Sequence, residues 1–186
     1  RAGNDRAAAV GGGLSHVSVS LSSLLRLSKV WARYLDIEES DVLGVALDEG
    51  AALLDVLAHQ DGEQFVGGDD QDRILAGDGN DTVDAGSGHD TVTGHDGNDS
   101  IDGGSGNDSL DGNAGDDTIH GELGNDIITG DTGNDSLVGG GGDDTVAGQT
   151  DDDTVLGGPG DDLLTGGDGN DYMESEGGAD TFLGGS

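Results

Sequence analysis

Residues Gly103-Gly104-Ser105-Gly106-Asn107-Asp108-Ser109-Leu110-Asp111 are one copy of a nine-residue unit. The unit returns thirteen times between Gly67 and Leu183, without insertion or deletion. Its sixth place is Asp in every copy: Asp72, Asp81, Asp90, Asp99, Asp108, Asp117, Asp126, Asp135, Asp144, Asp153, Asp162, Asp171 and Asp180. Its eighth place is always apolar, from Ile74 and Val83 through Met173 and Phe182. Its fourth place is Gly in eleven copies and Asp in two, Asp70 and Asp151. A fixed short period decides the architecture before any local propensity does, because each unit buries its apolar residue only against stacked neighbours.

Composition alone would argue against a fold. Hydrophobic residues make up 31% of the 186 and aromatics 3%, too little for an ordinary globular core. Six Lys and Arg stand against forty Asp and Glu, giving a formal net charge of −34 at pH 7. Such a chain repels itself when compact and reads as disordered. The strict period gives the opposite reading, provided that something neutralises the Asp residues. The same charge excludes nucleic acid and anionic membrane surfaces as partners. There is no Cys, so neither disulfides nor thiolate zinc sites are available. No apolar run approaches the roughly 18 residues that a membrane span needs, and membrane insertion is not expected. The chain does not begin with Met and shows no signal peptide, which points to a piece of a longer protein.

The N-terminal third is different in kind. Gly3-Asn4-Asp5 resembles a repeat tail but is out of phase with the array. Val17, Val19 and Leu21 alternate with Ser, a short strand pattern. Apolar residues from Leu24 to Leu35 recur at three- and four-residue spacing and predict a helix over 22–35. A second helix is expected over 41–59, weakened by Gly44 and Gly50. Two such helices are too small for an enzyme and fit a cap over the open end of the array, whose first unit would expose strand edges. Residues 58–66 read as a decayed unit, with Glu63 at the Asp place and Phe65 at the apolar place. The expected division is a cap or linker region over 1–63 and a repeat domain over 64–186.

The nine-residue period implies an all-β fold. Gly-rich turns followed by three-residue strands close a flattened coil every eighteen residues. Stacked coils give two short-stranded parallel sheets with the eighth-place side chains between them, roughly 31 Å long at about 4.8 Å per coil. Units two apart then stack, so the Asp carboxylates fall into two columns about 4.8 Å apart that cannot coexist without cations. Ca²⁺, which takes six or more oxygen ligands in flexible geometry, suits such columns better than Mg²⁺. Thirteen units allow up to about eleven stacked pairs, and eleven divalent ions would bring −34 to −12.

The pattern Gly-Gly-x-Gly-x-Asp-x-apolar-x resembles the repeats-in-toxin (RTX) family of haemolysin-type calcium-binding nonapeptides, over residues 67–183. The resemblance implies a right-handed parallel β-roll, or β-helix, with Ca²⁺ between stacked loops. The implied ligands are the thirteen Asp carboxylates and backbone carbonyls of the early places: Gly77, Gly79, Gly86, Gly88, Gly97, Gly103, Gly104, Gly106, Gly115, Gly124, Gly133, Gly142, Gly160 and Gly169. Weaker sites are expected where Asp70 and Asp151 replace Gly. The family also implies a bacterial protein that is secreted or lies at the cell surface. It implies type I export of an unfolded chain that folds on meeting calcium outside, as a stabilising or secretion-assisting part of a larger protein. Its partners would be calcium ions and the neighbouring domains of the parent chain.

No catalytic motif accompanies the array. There is neither His-Glu-x-x-His nor Gly-x-Ser-x-Gly, no EF-hand loop, and the five histidines (His16, His59, His89, His95, His120) are scattered. The chain is therefore expected not to be an enzyme, although it could accompany a secreted hydrolase. A third reading is an adhesive module. Places seven and nine should face outward, one sheet being rich in Thr (Thr91, Thr93, Thr129, Thr145, Thr165). Ile127, Val138, Ala147, Leu156, Leu163 and Leu183 add apolar surface in the later coils, open to a partner or a repetitive lattice such as ice.

Overall fold

The computed structural model describes residues 62–186, together with the strands at 44–46 and 58–59. Seventeen strands follow one another: β1 (Gly44–Ala46), β2 (Ala58–His59), β3 (Gln64–Gly68), β4 (Arg73–Leu75), β5 (Gly77–Asp78), β6 (Thr82–Gly86), β7 (Thr91–Asp96), β8 (Ser100–Asp102), β9 (Ser109–Ala114), β10 (Thr118–Leu123), β11 (Ile127–Thr132), β12 (Ser136–Gly141), β13 (Thr145–Thr150), β14 (Thr154–Leu156), β15 (Leu163–Asp168), β16 (Tyr172–Glu174) and β17 (Thr181–Leu183). Eight of them form one sheet in the order β1-β3-β6-β8-β10-β12-β14-β16, and seven form the other, β17-β15-β13-β11-β9-β7-β4. All the pairings are parallel, and from β3 onward partners in the two large sheets lie eighteen residues apart, as in Ile119↔Leu137 and Ile128↔Val146. The described residues form an all-β parallel solenoid of about seven turns, with no helix among them.

The eighth places fill the space between the sheets. Phe65, Val83, Ile101, Ile119, Leu137 and Val155 come from one sheet, and Ile74, Val92, Leu110, Ile128, Val146 and Leu164 from the other, each at most 2% exposed. At the last coil the row opens. Met173 is half-buried, and Phe182 is 46% exposed because no further coil covers it among the described residues.

Two features depart from the expected unit. The strands of the central coils run six residues, with the burial pattern of β11 typical: exposed, buried, intermediate, buried, intermediate, exposed. Strand pairing thus continues through places one to three, and the first place also faces inward. That is why it is Gly or Ala in all but one copy, and why Ala76 and Ala85 are fully buried. The second departure lies at the N-terminal side. β1 and β2 fall within the span expected as a second helix, and the remainder of both helix expectations lies outside the described residues. Their pairings, Gly44↔Gln64 and Ala58↔Gly77, span twenty and nineteen residues, so the eighteen-residue period begins only with β3.

Candidate metal centre

Each coil turns between the sheets through places one to six, and the sixth-place Asp ends the turn. The turn needs left-handed backbone, which glycine adopts without a Cβ penalty. Of the fourteen glycines expected as carbonyl donors, twelve have positive φ, from +88° at Gly104 to +155° at Gly160 and Gly169. Gly88 and Gly103 lie outside that region. The fourth place also brings loops into close approach: a Cβ on Gly106 or Gly124 would overlap the carbonyl oxygen of the fourth-place Gly one coil earlier. Fourth-place carbonyls are therefore aimed along the stack into the next loop. The second place takes the left-handed region even where it is not Gly, at His95, Asn113, Glu122, Asp131 and Gln149, so the coil imposes the conformation on the residue.

The sixth-place Asp residues form two columns, Asp72-90-108-126-144-162-180 on one edge and Asp81-99-117-135-153-171 on the other. From Asp72 to Asp162 each is buried, at most 4% exposed. Along each column a ladder repeats: the backbone N–H of one Asp donates to Oδ1 of the Asp one coil later. Examples are Asp90 N–H to Asp108 Oδ1 at 2.8 Å and Asp99 N–H to Asp117 Oδ1 at 2.7 Å. The other oxygen has no such partner. Oδ2 of Asp72, Asp81, Asp90, Asp99, Asp108, Asp117, Asp126, Asp135, Asp144 and Asp153 is buried and accepts no hydrogen bond.

Oxygens of two adjacent loops converge beside the first place. A methyl group on Gly103 would stand 2.9 Å from Asp108 Oδ2 and 3.0 Å from the carbonyl oxygen of Gly121, one coil later. On Gly139 it would stand 2.5 Å from Asp144 Oδ2 and 2.7 Å from the carbonyl oxygen of Gly157. The first-place Gly thus leaves a cradle rimmed by a carboxylate oxygen and a carbonyl oxygen, both negative and both hard. Among the described residues no three His, Asp or Glu side chains gather around one point. A cation held here must complete its shell with backbone carbonyls, and the donor set fits an oxygen-seeking divalent ion.

Electrostatics agree. A buried carboxylate with one unpartnered oxygen is costly, by several kcal/mol for an uncompensated charge. Burial pushes Asp99 and Asp135 up to about 7, and Asp108 and Asp144 up to about 6; neighbouring carboxylates in the column add to this, and the N–H on Oδ1 opposes it. Burial likewise raises Asp72, Asp90, Asp117, Asp126 and Asp153. The carboxylates are held in place but not neutralised by protein groups.

A second, exposed ladder runs beside the first. Asn125 Oδ1 accepts the N–H of Asp143 at 3.1 Å, and Asn134 Oδ1 that of Asp152 at 3.2 Å. Here the fifth-place side chain reaches forward one coil, whereas the sixth-place side chain reaches back. The sequence carried this signal: the fifth place is Asn or Asp in ten of thirteen copies, a bias passed over when that place is treated as variable.

Compared with models of known protein families, the chain matches the RTX calcium-binding nonapeptide repeat in four copies, at residues 60–92, 93–128, 120–155 and 148–182. Among curated proteins none matches. The four copies span the coils whose carboxylate columns have just been described, and their nine-residue unit is the one that builds those coils. The chain belongs to the RTX calcium-binding nonapeptide repeat family.

Proposed function

We propose that this chain is a calcium-dependent folding module: the apolar row supplies a thin core, and the Asp columns keep it from closing until calcium neutralises them. The observation that carries this reading is the row of ten buried Oδ2 atoms without a partner. The sixth-place Asp residues act as the carboxylate ligands. First-place carbonyls of the adjacent loop, such as those of Gly121 and Gly157, together with the glycine carbonyls expected from the sequence, complete each shell. Bound Ca²⁺ supplies positive charge and six or more coordination positions at once. The chain's own part is to hold Oδ1 through the backbone ladder and so aim Oδ2 into each cradle.

Because the columns form only in the stacked state, the binding free energy is folding free energy. Affinities of roughly 10⁻⁴–10⁻³ M, as in extracellular modules, match millimolar external calcium. The net charge of −34 opposes compaction wherever calcium is scarce. This supports export of an open chain, by the type I route, from a bacterial cytosol and folding outside. There the array stabilises a larger secreted or surface protein through the neighbouring domains. Native mass spectrometry at saturating calcium is expected to show several bound ions, one for each occupied loop pair, with far fewer for magnesium. A chain that takes up no calcium would sink the reading.

A further inference from the structure

On the edge that carries Asp72 through Asp180, the final loop reads Ser175-Glu176-Gly177-Gly178-Ala179-Asp180. Its first place is Ser, where the other loops of that edge have Gly or Ala. Its left-handed glycines are the third and fourth places, Gly177 at φ +72° and Gly178 at +99°, rather than the second and fourth. The Ser175 hydroxyl lies 2.8 Å from Asp162 Oδ2 and 3.0 Å from the carbonyl oxygen of Gly158. A methyl group on Gly157 would stand 2.6 Å from that hydroxyl and would also meet Asp162 Oδ2. At Gly139 the same cradle is rimmed by Asp144 Oδ2 and the Gly157 carbonyl. At Gly157 a side-chain hydroxyl has moved into it.

We propose that Ser175 closes the loop pair 157–162 and 175–180 in place of a cation, so that the calcium column on this edge ends at the Asp144–Asp162 pair. The proposal rests on the calcium reading of the other pairs. A hydroxyl has one proton to donate and can direct it to either oxygen. Directed to Asp162 Oδ2, it gives that carboxylate the partner that ten other sixth-place Asp residues lack. The same hydroxyl fills the space between the loops, so the oxygens there no longer converge on an open point. The outer coil is then held by direct bonds: Thr181 N–H to the Asp162 carbonyl at 2.7 Å, Asp162 N–H to Asp180 Oδ1 at 3.1 Å, and the serine latch. Of eleven stacked pairs, ten remain for calcium.

The test is the ion count by native mass spectrometry at saturating calcium, on the full chain. The wild type should hold at most ten ions. Ser175→Gly, which restores the repeat's first place, should gain one, and Ser175→Thr, which keeps the hydroxyl, should gain none. Eleven ions on the wild type overturn the proposal, even if Ser175→Gly fails to fold. An unchanged count in a folded Ser175→Gly overturns it too, and a lower count makes the hydroxyl a ligand instead. A wild type that binds calcium while Ser175→Gly gains nothing defeats the latch alone, whereas a wild type that binds none defeats the calcium reading itself.

Discussion

The backbone N–H of Asp108 donates to Oδ1 of Asp126, eighteen residues later, at 2.8 Å, while Oδ2 of Asp126 is buried and accepts nothing. One carboxylate therefore does two jobs with two oxygens. Oδ1 fixes the stack, and Oδ2 is left for a cation.

The two jobs separate by substitution. Asp126→Asn keeps an oxygen for the Asp108 N–H and removes the charge. It should stabilise the calcium-free roll, yet lower the ion count by one or two and raise the calcium needed for folding. Asp126→Ala also strands the buried N–H, adding a cost of about 1–3 kcal/mol. Calcium titrations followed by circular dichroism should rank wild type, Asn and Ala in that order. Equal midpoints for all three would show that Oδ2 binds nothing.

The fourth place should strongly favour Gly in the packed coils. Gly106 has φ +143°, and a Cβ there would overlap the Gly88 carbonyl oxygen. Gly106→Ala must move one loop off another and should lower the melting temperature of the calcium-loaded chain sharply. Asp151 already stands at a fourth place with φ +79°. A left-handed conformation costs a non-glycine residue about 1–2 kcal/mol, so Asp151→Gly should raise the melting temperature. No change in either variant would contradict the stacked-loop geometry.

The exposed ladder should matter less than the buried one. Asn125 accepts from Asp143 at 3.1 Å and donates its own N–H to Asn107 Oδ1 at 3.1 Å, both in contact with water. Water replaces such bonds, so Asn125→Ala should cost about 0.5–1.5 kcal/mol and leave the ion count unchanged. Loss of an ion in this variant would move the fifth place into the site.

The calcium-free chain should respond to pH in one direction. Burial holds Asp99 and Asp135 at about 7 and Asp108 and Asp144 at about 6, against an ordinary carboxyl value of 3.8. Raised carboxyl values mean that the folded state binds more protons than the unfolded state between those limits. Stability is then highest below about 4 and falls as pH rises through 6 to 7. In EDTA, ellipticity near 218 nm should therefore be stronger at pH 4.5 than at pH 7.5. With calcium present the order should reverse, because protons compete for the same oxygens. A calcium-free chain that gains structure as pH rises would be inconsistent with buried, unpartnered carboxylates.

Much of this was legible in the repeat itself. The eighteen-residue coil, the inward row from Ile74 to Leu164 and the two Asp columns all follow from the period, because a regular stack leaves each place one environment. Single residues whose neighbours come from another coil were less visible. That the first place faces inward, as Ala76 and Ala85 show, depends on how far the strand runs into the turn. The Asn and Asp ladder of the fifth place depends on a side chain reaching the loop above, which no one-unit reading reveals. At β1 the period itself changes, and the apolar spacing there, compatible with a helix, gave no sign that Gly44–Ala46 pairs with Gln64–Val66.

The most direct measurement is far-ultraviolet circular dichroism of the full chain at neutral pH, first in EDTA and then in millimolar calcium. The account predicts a disordered spectrum that converts cooperatively to β structure as calcium rises, with magnesium unable to replace it. A spectrum already β-structured in EDTA at pH 7.5 and indifferent to calcium would contradict it.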